Sequence, residues 1–394
     1  MNLQDDLFLD AEFLRSRRNS KWKRFPDTVV PAWIADMDLK AADVVQEAIE
    51  ATVRQRDYGY PRRHAIPAER IAAEAWVGWA ARRHGWEVDP ADVVVATDVM
   101  QACVAALLSF SEEGDGILLP TPCYPPFRSC ITDSRRRLID CPMSETPEGF
   151  RFDFEAMEAA IDDSTRMILL CNPHNPTGRV MTVEELSAVA ELAEKHDLIV
   201  FVDEIHADIV YPGFRHIPLA TLSSGAAART VTATSATKSF TTPALRLALM
   251  HFGAPALRDR FEKTIPKALM GKPAITAIDA STAAWTDGDE WFDTTMSYLG
   301  TARKTVAEAV AAMPGLSLHL PESTYLAFID CRGLGLDRPA SAHFLDTARV
   351  GFSEGEGFAK GYEGWIRLNF STAPDILGEM LTRLRAACLE TAGG

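Results

Sequence analysis

The chain has 394 residues, 47% of them hydrophobic and 24% charged, with 40 Lys and Arg against 55 Asp and Glu for a net charge of −15. That length supports a large core, and the balance of apolar and charged residues is ordinary for a globular protein. A pI near 5.1 is ill suited to nucleic acid or an anionic membrane surface as the main partner.

The chain starts MNLQDDLFLD, which lacks a basic region ahead of an apolar core and does not read as a signal peptide. No apolar run approaches the roughly 20 residues that cross a bilayer. From about Asp92 to Phe252, seven short β-branched or apolar runs follow one another: DVVVATD, GILLPT, RRLIDCP, TRMILLCNP, LIVFVDEI, RTVTATS and LALMHF. Helical patterns separate several of them, which predicts an α/β fold with a mostly parallel sheet covered on both faces. In TVEELSAVAELAEKH, Leu186, Val189, Leu192 and Ala193 recur at helix spacing, with Thr182 as N-cap and Glu185 three residues on. After about Ala283 the pattern changes to a long helix over WFDTTMSYLGTARKTVAEAVAAM, then strands near LSLHL, TYLAFID and GWIRLNF, and a closing helix over PDILGEMLTRLRAACLETA. The expected division is residues 1–45 as an arm and part of a small domain, 46–285 as the large domain, and 286–394 as a small α+β domain. Seven cysteines (Cys103, Cys123, Cys130, Cys141, Cys171, Cys331 and Cys388) are scattered without a CxxC pair. They argue against structural zinc or a disulfide framework and for a reducing cytoplasm.

Ligands of open α/β sheets bind beyond the carboxyl ends of the strands. If the strands ending at CNPHNPTG, VDEIH and TSATK are neighbours, then Asn175, Asp203, His206, Ser235 and Lys238 meet in one crevice. Each has a plainer reading alone. Asn175 suits a turn, Asp203 a helix cap, His206 a satisfied core position, Lys238 a solvated surface and Arg367 a structural ion pair. The acids and histidine of DEIHAD have no second histidine cluster to complete a metal site. Together the residues fit one chemistry. A lysine in a small, weakly polar setting forms imines, and an aspartate holds a protonated pyridine nitrogen. Asn or His donates to a phenolate, and Ser with Arg binds a phosphate dianion. Those demands belong to pyridoxal phosphate.

The motifs NPHNPTG, VDEIHADI and SATKSF, with Arg246 eight residues after Lys238, resemble the class I/II aminotransferase superfamily of fold type I pyridoxal phosphate enzymes. WIADMDL, YGYP at Tyr58–Pro61, TPCYPPF at Thr121–Phe127 and the late RLNF are similar to its branch of cystathionine β-lyase-like C–S lyases, the MalY/PatB group. The resemblance implies a seven-stranded mostly parallel sheet in a large domain, a smaller α+β domain and a cytoplasmic homodimer with shared active sites. By the same resemblance Lys238 carries the cofactor and moves the Cα proton, Asp203 pairs with the pyridine nitrogen, and Asn175 and His206 face the phenolic oxygen. Tyr124 stacks on the ring. Ser235, Arg246 and the amides of Val99 and Met100 hold the phosphate, Tyr60 reaches the neighbouring subunit's phosphate, and Arg367, beside Asn175, clamps the substrate α-carboxylate.

Three stretches depart from the family pattern. Asp98–Gln101 reads DVMQ where a Gly-Val-Val-Pro run is usual, Thr241 replaces an Asn, and Phe358-Ala359 replaces a Phe-Gly pair. An acid beside a phosphate is unfavourable unless it turns to cap the helix, which is the expected role of Asp98. The implied reaction is β-elimination from an S-substituted cysteine to thiol, pyruvate and ammonia. Transamination remains open, because both reactions share the step at Cα. So does a specialised enzyme of the lincosamide type, performing elimination or decarboxylation-coupled deamination on a bulky cysteine conjugate. A regulatory protein on the same fold is the alternative from another class.

Overall fold

The computed structural model describes residues 7–63 and 66–393; the first six residues of the acidic start lie outside them. All seven predicted runs are strands of one sheet: β1 Val93–Ala96, β2 Gly116–Thr121, β3 Arg137–Pro142, β4 Thr165–Cys171, β5 Ile199–Asp203, β6 Thr230–Thr234 and β7 Ala248–Phe252. Their order is β1-β7-β6-β5-β4-β2-β3. Only β7 runs antiparallel to its neighbours, β6 and β1. The fold is therefore α/β with a seven-stranded, mostly parallel sheet.

Successive strand residues point to opposite faces, and the core divides accordingly. Ile117, Leu119, Leu169, Phe201 and Val231 join one apolar cluster with helix α1, Val99–Phe110. Leu118, Ile168, Leu170, Val200 and Val202 join another with helix α2, Val183–Lys195. In α2 the predicted stripe of Leu186, Val189, Leu192 and Ala193 is buried; the three larger side chains contribute roughly 1.5–3 kcal/mol each. The predicted cap is a full capping box. Thr182 Oγ1 accepts from the Glu185 amide at 3.3 Å, and Glu185 Oε2 accepts from the Thr182 amide at 3.0 Å.

The C-terminal α+β part contains helix α3 (Asp289–Ala311), α4 (Ala340–Thr347) and α5 (Pro374–Gly393) beside an antiparallel sheet. Its strands are β8 Ser317–Leu318, β9 Leu326–Asp330, β10 Ser353–Glu354 and β11 Trp365–Asn369, in the order β8-β9-β11-β10. The sequence pattern indicates three of these. β10 escapes it because two residues are too few to show alternation.

The segment from Val30 to Asp38 binds these parts together. Val30 and Pro31 pair in parallel with Val350 and Gly351. Farther along, Asn369 Nδ2 donates to the carbonyls of Ile34 and Asp36, each at 2.7 Å, and the Asp38 amide donates to Ser371 O at 2.9 Å. Lys21 locks the segment from behind. Its ammonium, wholly buried, pairs with Asp38 at 2.7 Å and donates to Asp36 O at 2.9 Å, while Trp22 Nε1 donates to Asp38 at 2.7 Å. Removing one partner of a buried pair strands the other charge in a low-dielectric interior, at a cost of about 3–5 kcal/mol. Lys21→Met is accordingly expected to lower stability by about that amount, read as a fall in the urea midpoint with the slope unchanged.

Candidate active site

Strands β6, β5 and β4 are parallel neighbours, with Asp203 in register with Cys171 on one side and Ala233 on the other. Their carboxyl ends open into a cavity of about 440 Å³ whose walls include Asn175, Asp203, His206, Lys238 and Arg367. The condition set by the sequence, that three strands be adjacent, is met.

Lys238 lies in the short helical turn Ala236–Ser239, between β6 and β7. Ser235 caps that turn, accepting from the Thr237 amide at 3.1 Å and donating to Leu247 O at 2.5 Å. The lysine amine donates to Ala35 O at 2.7 Å, on the segment that Lys21 and Asn369 hold in place. Burial pushes its pKa down to about 8; Asp36 and Asp203 pull it up, and Arg367 pushes it further down. The neutral form that a nucleophile or base requires is therefore far more accessible near physiological pH than for an ordinary lysine.

Asp203 ends β5 and accepts from the Ile205 amide at 2.9 Å. Burial raises its carboxyl to about 7, against the lowering effects of that bond and of Lys238. A carboxylate so placed gains strongly from a cation brought to it. His206 is pushed down to about 3 by burial and by the nearby Lys238 and Arg367, so it is neutral at pH 7. Its Nδ1 is buried without a partner and its ring meets Tyr325 edge-on at 6.2 Å. Arg367, in the middle of β11, is pushed down to about 10 by burial and stays charged. Its Nη1 donates to Asn175 Oδ1 at 2.8 Å and its Nη2 to Trp33 O at 2.9 Å and Ser353 Oγ at 3.1 Å, while its Nε is buried and unpaired. With Asn175 Oδ1 occupied by the arginine, its amide hydrogens remain for another acceptor. Tyr124 lines the same cavity, and burial raises its phenol.

The anion end is the start of α1. Asp98 is its N-cap, accepting from the Gln101 amide at 2.8 Å, and Gln101 reciprocates by accepting from the Thr97 amide at 2.8 Å and the Thr97 hydroxyl at 3.0 Å. Val99 and Met100, the first residues of the helix, line the cavity where helix amides and dipole favour an anion. The second oxygen of Asp98 pairs with Arg246, which also lines the cavity. The acid in DVMQ thus caps the helix, as its position suggests, and also holds the arginine.

One expected residue stands elsewhere. Ser235 does not line the cavity, because its hydroxyl is committed to Leu247 O and to the turn; Thr237 lines it instead. Tyr60, expected to reach a neighbouring subunit rather than this cavity, is 97% exposed. Ile34 and Ala35, inside WIADMDL, and Ile205, inside VDEIHADI, also line the cavity. Both motifs stand out in the sequence, but neither shows which of its members face a ligand.

The set fits pyridoxal phosphate. An amine with a lowered pKa, a buried acid raised to about 7, an orphaned histidine nitrogen, and a helix start with an arginine surround a space of ligand size.

Residues 35–384 match the family described as aminotransferase class I and II. Cystathionine beta-lyase PatB of Bacillus subtilis is 30% identical, over 91% of this chain and 92% of its own. The crystal structure of OvoB is similar at a TM-score of 0.90 with 34% identity, covering 97% and 98% of the two chains. Cystalysin from Treponema denticola, whose structure contains pyridoxal 5′-phosphate, is similar at 0.89 with 27% identity, covering 95% and 97%.

In the cofactor-free protein, acylation of Lys238 followed by mass spectrometry across pH should rise with a midpoint near 8, well below the ordinary 10.5. A midpoint near 10.5 would show that the amine is not desolvated.

Proposed function

The chain belongs to the aminotransferase class I and II family, and within it we propose that it is a pyridoxal phosphate-dependent C–S β-lyase, cleaving an S-substituted L-cysteine to thiol, pyruvate and ammonia. The observation that carries the reading is the buried Lys238, its amine pushed down to about 8, facing Asp203 and Arg367 across one cavity. When bound, pyridoxal phosphate supplies an electron sink that acidifies the substrate Cα–H bond.

The residues of this chain do the rest. Arg367, oriented by Asn175, Trp33 O and Ser353, binds the substrate α-carboxylate with its charged, forked donors. Asp203 would hold a proton on the cofactor's pyridine nitrogen, a positive partner that would offset the burial now raising its carboxyl. His206 and Asn175 present neutral donors to the phenolic oxygen. Lys238 Nζ takes the Cα proton; the Cβ–S bond then breaks with its electron pair on sulfur, which leaves as thiol after gaining a proton. Water releases pyruvate and ammonia from the remainder. Tyr124 lies against the same space and positions the ring.

A dimer with shared sites fits an exposed Tyr60, with Tyr58 beside it at 69% exposure. The seven cysteines, all buried and unbridged, suit a reducing compartment such as the cytoplasm. No described helix is long and apolar enough to cross a membrane. The division near residues 45 and 285 rests on the pairing of Val30–Pro31 with Val350–Gly351 and on the change from parallel to antiparallel sheet.

The test is product analysis on the holoenzyme. Pyruvate and thiol in equal amounts, lost together with the visible imine absorbance in Lys238→Ala, are expected; a 2-keto acid that retains the sulfur would make it a transaminase. A second outcome concerns the phosphate end. Asp98→Asn keeps the capping oxygen but removes a negative charge from the anion site, so cofactor affinity should tighten by roughly two- to fivefold, the size of a charge effect at a helix terminus. Titration of cofactor-free protein by absorbance measures it.

A further inference from the structure

A second cavity, of about 490 Å³, adjoins the first and shares Ile34, Tyr124 and Arg367 with it. It lies between the clamp segment and the C-terminal part, with α4 and β10 on its far side. Five of its lining residues carry aromatic rings: Phe25, Trp33, Tyr124, Phe352 and Phe358. These rings are held by their own neighbours. Phe352 meets Phe344 edge-on at 6.0 Å, Phe358 meets Phe328 at 5.7 Å, and the Arg367 guanidinium lies 4.8 Å from the Phe358 ring. Arg24 stacks on Trp33 at 4.3 Å, extending the flat wall toward solvent.

Resting on the lyase reading, we propose that this cavity receives the sulfur substituent of the substrate, and that the substituent is built around an aromatic ring. The placement follows from Arg367. A substrate whose α-carboxylate is held there has the shared wall of Tyr124 and Ile34 at hand, and the adjoining cavity is the space into which a substituent on Cβ can extend. The size follows from the volume. About 490 Å³ beyond the cofactor cavity is a compartment of ligand size in its own right, far more than a methyl group fills. The chemistry follows from the walls. Rigid aromatic faces and edges gain most from another ring, through offset and edge-on contacts beyond simple area burial. For a substituent ending in an amino-acid head group, the charged partners other than Arg367 are Arg24 and Glu354, and both are exposed side chains where charge pairing is screened.

The experiment compares kcat/KM for pyruvate release by the holoenzyme from S-benzyl-L-cysteine, L-cystathionine and S-methyl-L-cysteine. The benzyl conjugate should exceed both others by at least about tenfold, the discrimination an apolar pocket gives for a well-filled extra group. Ala342→Trp, which places a bulky side chain in the cavity wall, should cut the benzyl-to-methyl ratio by at least about tenfold. Cystathionine equal to or better than the benzyl conjugate overturns the proposal, as does a ratio that Ala342→Trp leaves unmoved. Should that variant not fold, the wild-type order alone decides. Absence of pyruvate from all three defeats the lyase reading. Calorimetric binding of the benzyl and methyl conjugates to Lys238→Ala holoenzyme then decides the cavity, tighter benzyl binding supporting it and equal binding overturning it.

Discussion

Four ionisable side chains, Lys238, Asp203, His206 and Arg367, are each buried around one cavity, and withholding water from them sets their chemistry. Burial disfavours every charged form. It pushes the lysine down to about 8 and the histidine to about 3, and lifts the aspartate to about 7. Each group is left poised for a partner that would restore what water no longer supplies. The positive charge of Arg367 adds to that effect, lowering Lys238 further. An arginine is suited to that role because it stays protonated even when pushed down to about 10.

The shelter depends on backbone as much as on side chains. The carbonyl of Ala35 that accepts the Lys238 hydrogen bond belongs to the segment fastened by the buried Lys21–Asp38 pair and by Asn369. Trp33 O, on the same segment, receives both Arg367 and Ser353. One stretch of chain therefore contacts both Lys238, borne on the parallel sheet's side, and Arg367, borne on β11. A shift in that stretch would move both side chains together, and the buried Lys21–Asp38 pair behind it resists such a shift.

Residues that depart from the family pattern acquire physical reasons. Thr241 adopts φ +52, a left-handed conformation that a β-branched residue tolerates poorly and an asparagine well. Its hydroxyl donates to Met37 O at 3.1 Å, again on the clamp segment, and that contact helps hold the conformation. Arg246, at φ +51, is likewise held by its pair with Asp98. Strain beside a site of chemistry persists where the surroundings over-determine it, and here the lysine turn has such a residue after it on each of two anchors.

The seven strands, the α2 stripe with its capping box, the family, and five residues that share one cavity are legible in the chain's local patterns. Those features are local: alternation, helix spacing, and short motifs at strand ends whose chemistry belongs to the residues themselves. Lys238, Asp203, Asn175, His206 and Arg367 were legible because each lies within such a motif. Tertiary structure alone decided that Thr237 rather than Ser235 lines the cavity, because the serine hydroxyl is drawn to Leu247 O, twelve residues away. It alone joined Asp98 to Arg246 and Lys238 to Ala35 O, and it alone placed Phe25, Trp33, Phe352 and Phe358 around one space. These are contacts between residues separated by 12 to more than 300 positions, and no local pattern carries them. They arise only when the chain closes on itself, and burial then sets the charges of the groups it encloses.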